Sequence, residues 1–99
     1  MIIIKQPAVY ILANKPGGAL YIGVTSDLVK RVWQHRSDAV EGFSKRYRIH
    51  DLVHFEQCDS IVTAIEREKE LKKWRRAWKV ALVEKSNPKW LDLWPDLTC

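Results

Sequence analysis

An α+β fold, a small three-stranded antiparallel sheet flanked by helices in the order β-β-α-β-α-α, follows from two features of the 99-residue sequence. The first is a pair of short runs rich in β-branched and aromatic residues, Val9-Tyr10-Ile11-Leu12 and Leu20-Tyr21-Ile22-Gly23-Val24. Between them lie Pro16, Gly17 and Gly18, which let a chain reverse, so the pair reads as a β-hairpin. The second is helical spacing of apolar residues, once after this hairpin and again after a further alternating run at Leu52–Cys58.

In chain order, Pro7 sets a short lead-in over residues 1–7 in an extended conformation. The hairpin strands are expected at about Ala8–Leu12 and Leu20–Val24. Tyr10 and Tyr21 hold corresponding positions, each preceded by an aliphatic residue and followed by Ile. Because side chains alternate faces with period two, both phenols are expected to leave the same face. Thr25-Ser26-Asp27 supplies oxygens that can cap a helix over Leu28–Ala39. Its apolar stripe is expected to hold Leu28, Val29, Val32 and Trp33, with Arg31 and His35, four apart, sharing one flank.

Residues 41–50 lack periodicity and read as a loop or a single helical turn. Lys45, Arg46 and Tyr47 interleave cations with a ring, which suits a nucleic-acid backbone; the plainer role is a solvated loop that Phe43 and Tyr47 anchor to the core. Leu52–Cys58 is the third strand. Asp59 or Ser60 then caps a second long helix with Ile61, Ala64, Ile65, Glu68 and Leu71 on one stripe.

Glu68 is therefore an acid on an apolar face, which is costly unless a donor, a cation or a metal compensates the lost hydration. A salt bridge to Arg31 or Arg75 and a functional site both meet that need. From Arg67 to Lys79 seven basic residues interleave with Trp74 and Trp78, and Lys72, Lys73 and Arg76 form a candidate phosphate-binding strip. A break near Trp74-Arg75-Arg76 leads to a helix over about Ala77–Lys85, expected to turn Trp78, Ala81 and Leu82 to the core and to end at Asn87-Pro88. The tail from Trp90 to Leu97 is apolar enough to fold back over the core, and the five tryptophans read as packing residues.

Length and a 46% hydrophobic composition suit one domain over residues 1–99, with its core over about 7–97. A net charge of +5 and a pI near 9.4 favour a polyanionic partner. Cys58 and Cys99 lack the spacing of a zinc site or disulfide framework, which fits free thiols in a reducing cytoplasm. Lys5 interrupts Met1-Ile2-Ile3-Ile4 long before the length of a signal core or a membrane span, and no helix pairs a wide apolar face with an all-basic one. A membrane partner is not expected.

Together, Ala8-Val9-Tyr10, Tyr21-Ile22-Gly23, Arg31, His35 and the helix segment Ala64-Ile65-Glu66-Arg67-Glu68 resemble the GIY-YIG nuclease superfamily, in particular its small stand-alone members. The order and spacing of tyrosine, tyrosine, arginine, histidine and glutamate carry the resemblance. Ala8-Val9-Tyr10 departs from the first motif's Gly-Ile-Tyr but retains the tyrosine. The resemblance implies an endonuclease that hydrolyses DNA phosphodiesters with one divalent cation, Mg²⁺ or Mn²⁺, in repair or in processing branched or damaged DNA. It implies that Tyr10 or Tyr21 helps deprotonate water with His35 as a partner in proton transfer, that Arg31 stabilises phosphoryl charge, and that Glu68 binds the metal. A planar guanidinium meets two phosphoryl oxygens at once, and a hard cation that keeps its waters needs few protein ligands. Asn87 sits near where family members keep a polar residue, and helix capping explains it equally well. The alternative is a nucleic-acid-binding module of the same fold without efficient cleavage. The protein is expected to act on nucleic acid, most readily DNA, as a monomer or weak homodimer, with room for a protein partner to supply contacts that a chain this short lacks.

Overall fold

The computed structural model describes residues 6–37, 42 and 46–98. The chain forms strand β1 (Ala8–Ala13), strand β2 (Leu20–Thr25), helix α1 (Leu28–Arg36), strand β3 (Asp51–Gln57), helix α2 (Ile61–Lys73), helix α3 (Arg76–Ser86) and a short helix α4 (Trp94–Thr98). The strands make one antiparallel sheet in the order β2-β1-β3. This is the α+β architecture expected from the sequence, with α4 added where the apolar tail folds back.

β1 is central, and all six of its residues are buried, which is why it reads as a continuous apolar run. Its alternate residues feed two cores. Val9, Ile11 and Ala13 pack with Ile22, Val53, Ala64, Leu71, Val83 and Trp90 beneath α2 and α3. Ala8, Tyr10 and Leu12 pack on the opposite face with Leu28, Val32, Ile49 and Leu52, under α1 and the tail. A register shift opposite Ile11 and Leu12 leaves Val53 as the extra residue of β3, and Val53 and Leu52, adjacent in the strand, face these two different cores.

The hairpin register pairs Tyr10 with Gly23 and Leu12 with Tyr21. Residues opposite one another in an antiparallel pair share a face, so the two phenols leave the same side, as their alternation requires. Asp27 caps α1, its carboxylate accepting from the Lys30 N–H at 3.3 Å, and Ser60 caps α2 by accepting from the Thr63 N–H at 3.1 Å. Trp74 and Arg75 are both extended, with ψ near 150°, and so separate α2 from α3.

Three expectations about packing are corrected. α1 ends at Arg36, where the Ser37 hydroxyl donates to the Trp33 carbonyl at 2.9 Å; residues 38–41 lie outside the described residues. Its buried residues are Leu28, Val32 and His35, whereas Trp33 is 57% exposed. Trp33 stands 100° round the helix from Val32, beyond a stripe that His35 completes. In α3 it is Val83 that is buried, while Trp78 is 53% exposed and Ala81 is exposed, so the tryptophans are not uniformly packing residues. On α2, Ile61 is exposed, because the helix has not yet reached the sheet at its first residue.

Polar ties that the sequence pattern did not show hold the layers together. Arg67 donates from Nε and Nη2 to the two oxygens of Glu56, at 2.8 and 3.2 Å, which clamps α2 to β3. Burial works against ionisation of Glu56, yet Arg67 and a hydrogen bond with His54 hold its carboxyl below the usual range. Asp92 accepts from the backbone N–H of Leu52 and of Trp94, both at 3.1 Å, and pairs with Arg36 at the end of α1. The tail is thereby tied to β3 and to the helix that carries His35. Asn87 caps α3 and is buried; its amide donates to the carbonyls of Val53 and Leu91, and its Oδ1 accepts from the Leu91 N–H.

Candidate active site

The site is organised around Gly23, in the middle of an outer strand. A Cβ placed there would lie 2.4 Å from both Cζ and Oη of Tyr10. The phenol of the central strand therefore passes directly over the neighbouring backbone, an approach that only a residue without a side chain permits. That crossing carries the Tyr10 hydroxyl toward the outer edge of the sheet, where α1 and α2 flank β2.

There Tyr10 Oη meets His35 Nε2 at 3.0 Å in a buried hydrogen bond. Tyr21 completes a cluster of three rings, its centroid 5.0 Å from that of His35 and 6.3 Å from that of Tyr10. The two partners of the buried bond differ from Tyr21 in access. Tyr10 and His35 are each 2% exposed, whereas Tyr21 is half-buried.

Electrostatics hold the buried pair uncharged. Burial, and after it the neighbouring Tyr21, push the Tyr10 phenol well above its ordinary range; the Glu68 carboxylate acts in the same direction, and Arg31 opposes them. Burial, then the charges of Arg31 and His50, push His35 down to about 4. At neutral pH a neutral phenol and a neutral imidazole share this hydrogen bond, the phenol O–H donating when Nε2 is the bare ring nitrogen and the Nε2–H donating in the other tautomer.

Arg31 is half-buried on the exposed flank of α1, and its charge bears on both Tyr10 and His35. Among the described residues no carboxylate pairs with its guanidinium. It lines a cleft of about 320 Å³ with Thr25, Ser26 and Asp27, to which the sequence had given only a capping role, and with Lys30 and Gln34 of α1. Glu68 enters from α2. Its side chain is 16% exposed, its charge reaches Tyr10, and the partner it holds is Lys72 at 3.3 Å, one helical turn on, rather than Arg31 or Arg75. The five residues singled out in the sequence thus come from β1, β2, α1 and α2 to one region of the fold.

The basic residues expected on nucleic acid are dispersed. Arg46 and Tyr47 are exposed; the Arg46 N–H donates to the Gly42 carbonyl at 3.0 Å and the Arg46 guanidinium stands 5.6 Å from the Tyr47 ring centroid, while Lys45 and Phe43 lie outside the described residues. Lys72 and Lys73 are exposed on α2. Arg76 donates to the carbonyls of Gly17 and Gly18, both at 2.6 Å, and so fastens α3 to the hairpin turn. Asn87 is bonded to β3 and the tail on the far face of the sheet from Tyr10, which accounts for it as a helix cap.

A divalent cation fits the donor set in one form. Glu68 offers a single carboxylate near the rings, and its partner Lys72 has a side chain 55% exposed that can swing away. Among the described residues no three His, Cys, Asp or Glu side chains are grouped to hold a metal. Such a site suits a hard ion that keeps most of its waters and not one that needs a full protein cage.

Comparison with known proteins gives a consistent picture. The family model described as the GIY-YIG catalytic domain matches residues 6–81. A UPF0213 protein of Syntrophus aciditrophicus is 39% identical over 70 residues, which cover 70% of this chain and 79% of that protein. UPF0213 proteins of Haloquadratum walsbyi and Staphylococcus saprophyticus are 35% and 33% identical, over 67% and 76% of this chain and 74% and 90% of their own lengths. No solved structure matches the chain significantly.

Proposed function

This chain belongs to the GIY-YIG family, whose catalytic domain is a nuclease domain, and from that premise we propose that it is a divalent-metal-dependent endonuclease acting on DNA. The observation that supports this reading is the cluster of Tyr10, Tyr21 and His35, drawn from three elements, with the charges of Arg31 and Glu68 bearing on it. Branched or damaged DNA met during repair is the substrate class, and the cytoplasm is the setting that the free-thiol composition favours. No described helix is long and apolar enough to cross a membrane.

In this reading Tyr21, the one ring of the three with access to solvent, faces the attacking water and accepts its hydrogen bond. Tyr10 and His35, both buried and neutral, are positioning residues: their mutual bond fixes the faces against which Tyr21 packs. Arg31, half-buried and paired with no carboxylate among the described residues, presents its planar donors to the phosphoryl oxygens as negative charge builds on them. Glu68 would hold the metal, which when bound supplies Lewis-acid stabilisation of the phosphate and acidifies water.

The test is cleavage of labelled duplex, flap and junction DNA, with RNA counterparts, in Mg²⁺, Mn²⁺ or EDTA, for the native protein and Glu68→Ala. Metal-dependent nicking that is lost in Glu68→Ala, with an unchanged circular dichroism spectrum, is expected. Binding with a steep salt dependence but no cleavage under any condition would replace the enzyme reading with that of a binding module.

A further inference from the structure

On the solvent side of the bend between α2 and α3 lies a second cavity, of about 570 Å³, lined by Glu66, Lys69, Glu70, Lys73, Trp74 and Trp78. Trp74 is the C-cap of α2, and the two extended residues there set its indole edge-on to that of Trp78, with centroids 6.2 Å apart and planes at 82°. Each ring is braced by a cation: the Arg67 guanidinium stands 5.1 Å from the Trp74 centroid, and that of Arg75 stands 5.6 Å from Trp78. The Trp78 indole is nevertheless 53% exposed. An exposed tryptophan already held in place loses little freedom when a flat ligand covers it.

The charges around the cavity select the ligand. Residues 66–79 carry seven cations and three carboxylates. At the cavity itself Lys69, Lys73, Arg67 and Arg75 outnumber the carboxylates Glu66 and Glu70, and Glu70 is taken up by Arg67. A polyanion with flat faces meets both demands, with phosphates against Lys69 and Lys73 and a ring on Trp78. Duplex nucleic acid keeps its base faces stacked inside the helix, so the complementary ligand has unpaired bases.

Position ties this surface to the cleavage site. At 100° per residue, the side chains met on turning round α2 from Glu68 are Lys72, then Lys69, then Lys73, ending at the cavity. Half the girth of a helix is on the order of 17 Å, a span of a few nucleotides. We propose that the Trp74–Trp78 corner is a stacking subsite for an unpaired nucleotide of a single-stranded arm, led round α2 by Lys72, Lys69 and Lys73 from the scissile phosphate. The substrate class is then DNA with a single-stranded segment beside the cut. This rests on the nucleic-acid reading above and adds to it a place where bases, not only phosphates, are held.

The test compares binding of fluorescent single-stranded and duplex oligonucleotides of equal length at several salt concentrations, for the native protein, Trp78→Ala and Trp78→Tyr. Trp78→Ala is expected to lower the ratio of single-strand to duplex affinity by about 5- to 150-fold, the range that loss of one stacked base produces, without changing the salt slope. Trp78→Tyr is expected to restore most of that ratio, because a ring is still present. Lys73→Ala should instead lower the single-strand salt slope by about 0.7. An unchanged ratio in Trp78→Ala, while the native protein still binds, overturns the subsite and leaves the nuclease reading in place. A native protein that binds no nucleic acid overturns both. Binding of polyglutamate as tight as that of a single strand, and weakened equally by Trp78→Ala, would assign the surface to an acidic polypeptide and also overturn the proposal.

Discussion

Replacing Gly23 with alanine tests whether the site depends on the passage of Tyr10 over β2. The added Cβ would lie 2.4 Å from Tyr10 Cζ and Oη, far inside van der Waals contact. The clashing atoms are the end of a side chain, which in an open place would simply swing aside. Here the ring is 2% exposed and bonded to His35 at 3.0 Å, so it cannot leave without opening a buried hydrogen bond or shifting the strand. Overpacking of this kind costs about 1–3 kcal/mol. Breaking that buried hydrogen bond costs about the same again, and the two penalties overlap because one displacement relieves the other. The stiffer unfolded chain of an alanine variant returns about 0.4–1 kcal/mol. The net loss is about 2–3 kcal/mol, a fall in Tm of roughly 10–20 °C for a chain of this size. Thermal unfolding followed by circular dichroism reads it. Since alanine in an unobstructed strand position would be neutral or slightly stabilising, a Gly23→Ala protein with an unchanged or higher Tm would refute the crossing geometry. In metal-dependent nicking the same variant should lose on the order of 100-fold in rate at temperatures where it remains folded, because misplacement by about 1 Å costs that much.

Three further outcomes follow from the structure. His35 is pushed down to about 4, below the 6.5 of an unfolded histidine. Between those values the unfolded chain binds the extra proton, so its contribution is complete above pH 6.5 and is lost as pH falls toward 4, by about 3 kcal/mol in all. Urea unfolding of the native protein and of His35→Gln from pH 7 to 4.5 should show the native curve falling more steeply, and parallel curves would exclude a buried neutral imidazole. Asn87→Ala leaves the Val53 carbonyl and both backbone groups of Leu91 without their partner, so a loss of about 2–3 kcal/mol is expected in the same assay, with nicking per folded molecule unchanged. Tyr21→Phe should lower the nicking rate far more than it lowers Tm, whereas Tyr10→Phe, which removes the buried bond to His35, should lower both; the reverse pattern would exchange the roles given to the two phenols.

Several particulars of the site were legible along the chain. Period-two alternation placed Tyr10 and Tyr21 on one face, and the observed register keeps them there even though Tyr10 lies opposite Gly23 and not Tyr21. Helical spacing put Arg31 and His35 on one flank and Glu68 beside Ala64 and Leu71. Each of these depends on repeats of two to four residues, which any sequence displays directly. A glycine within the β2 run was also a signal of close backbone approach, but which chain approached it was not written nearby.

What the sequence by itself determined, then, was the class of fold, the order of its elements and the identity of the family, because local periodicity, caps and motif spacing are properties of contiguous residues. Only the tertiary structure decided which charges face one another and which aromatic rings stay in water. Glu68 holds Lys72 and not Arg31 or Arg75, Arg76 fastens the hairpin turn, and Trp33 and Trp78 face solvent although both were expected inside. Those outcomes depend on how α1, α2 and α3 are rotated against the sheet. That rotation is set by the summed packing of side chains distant in sequence, Leu71 and Val83 under one face and Val32 and Ile49 under the other, so no short window of the chain contains it.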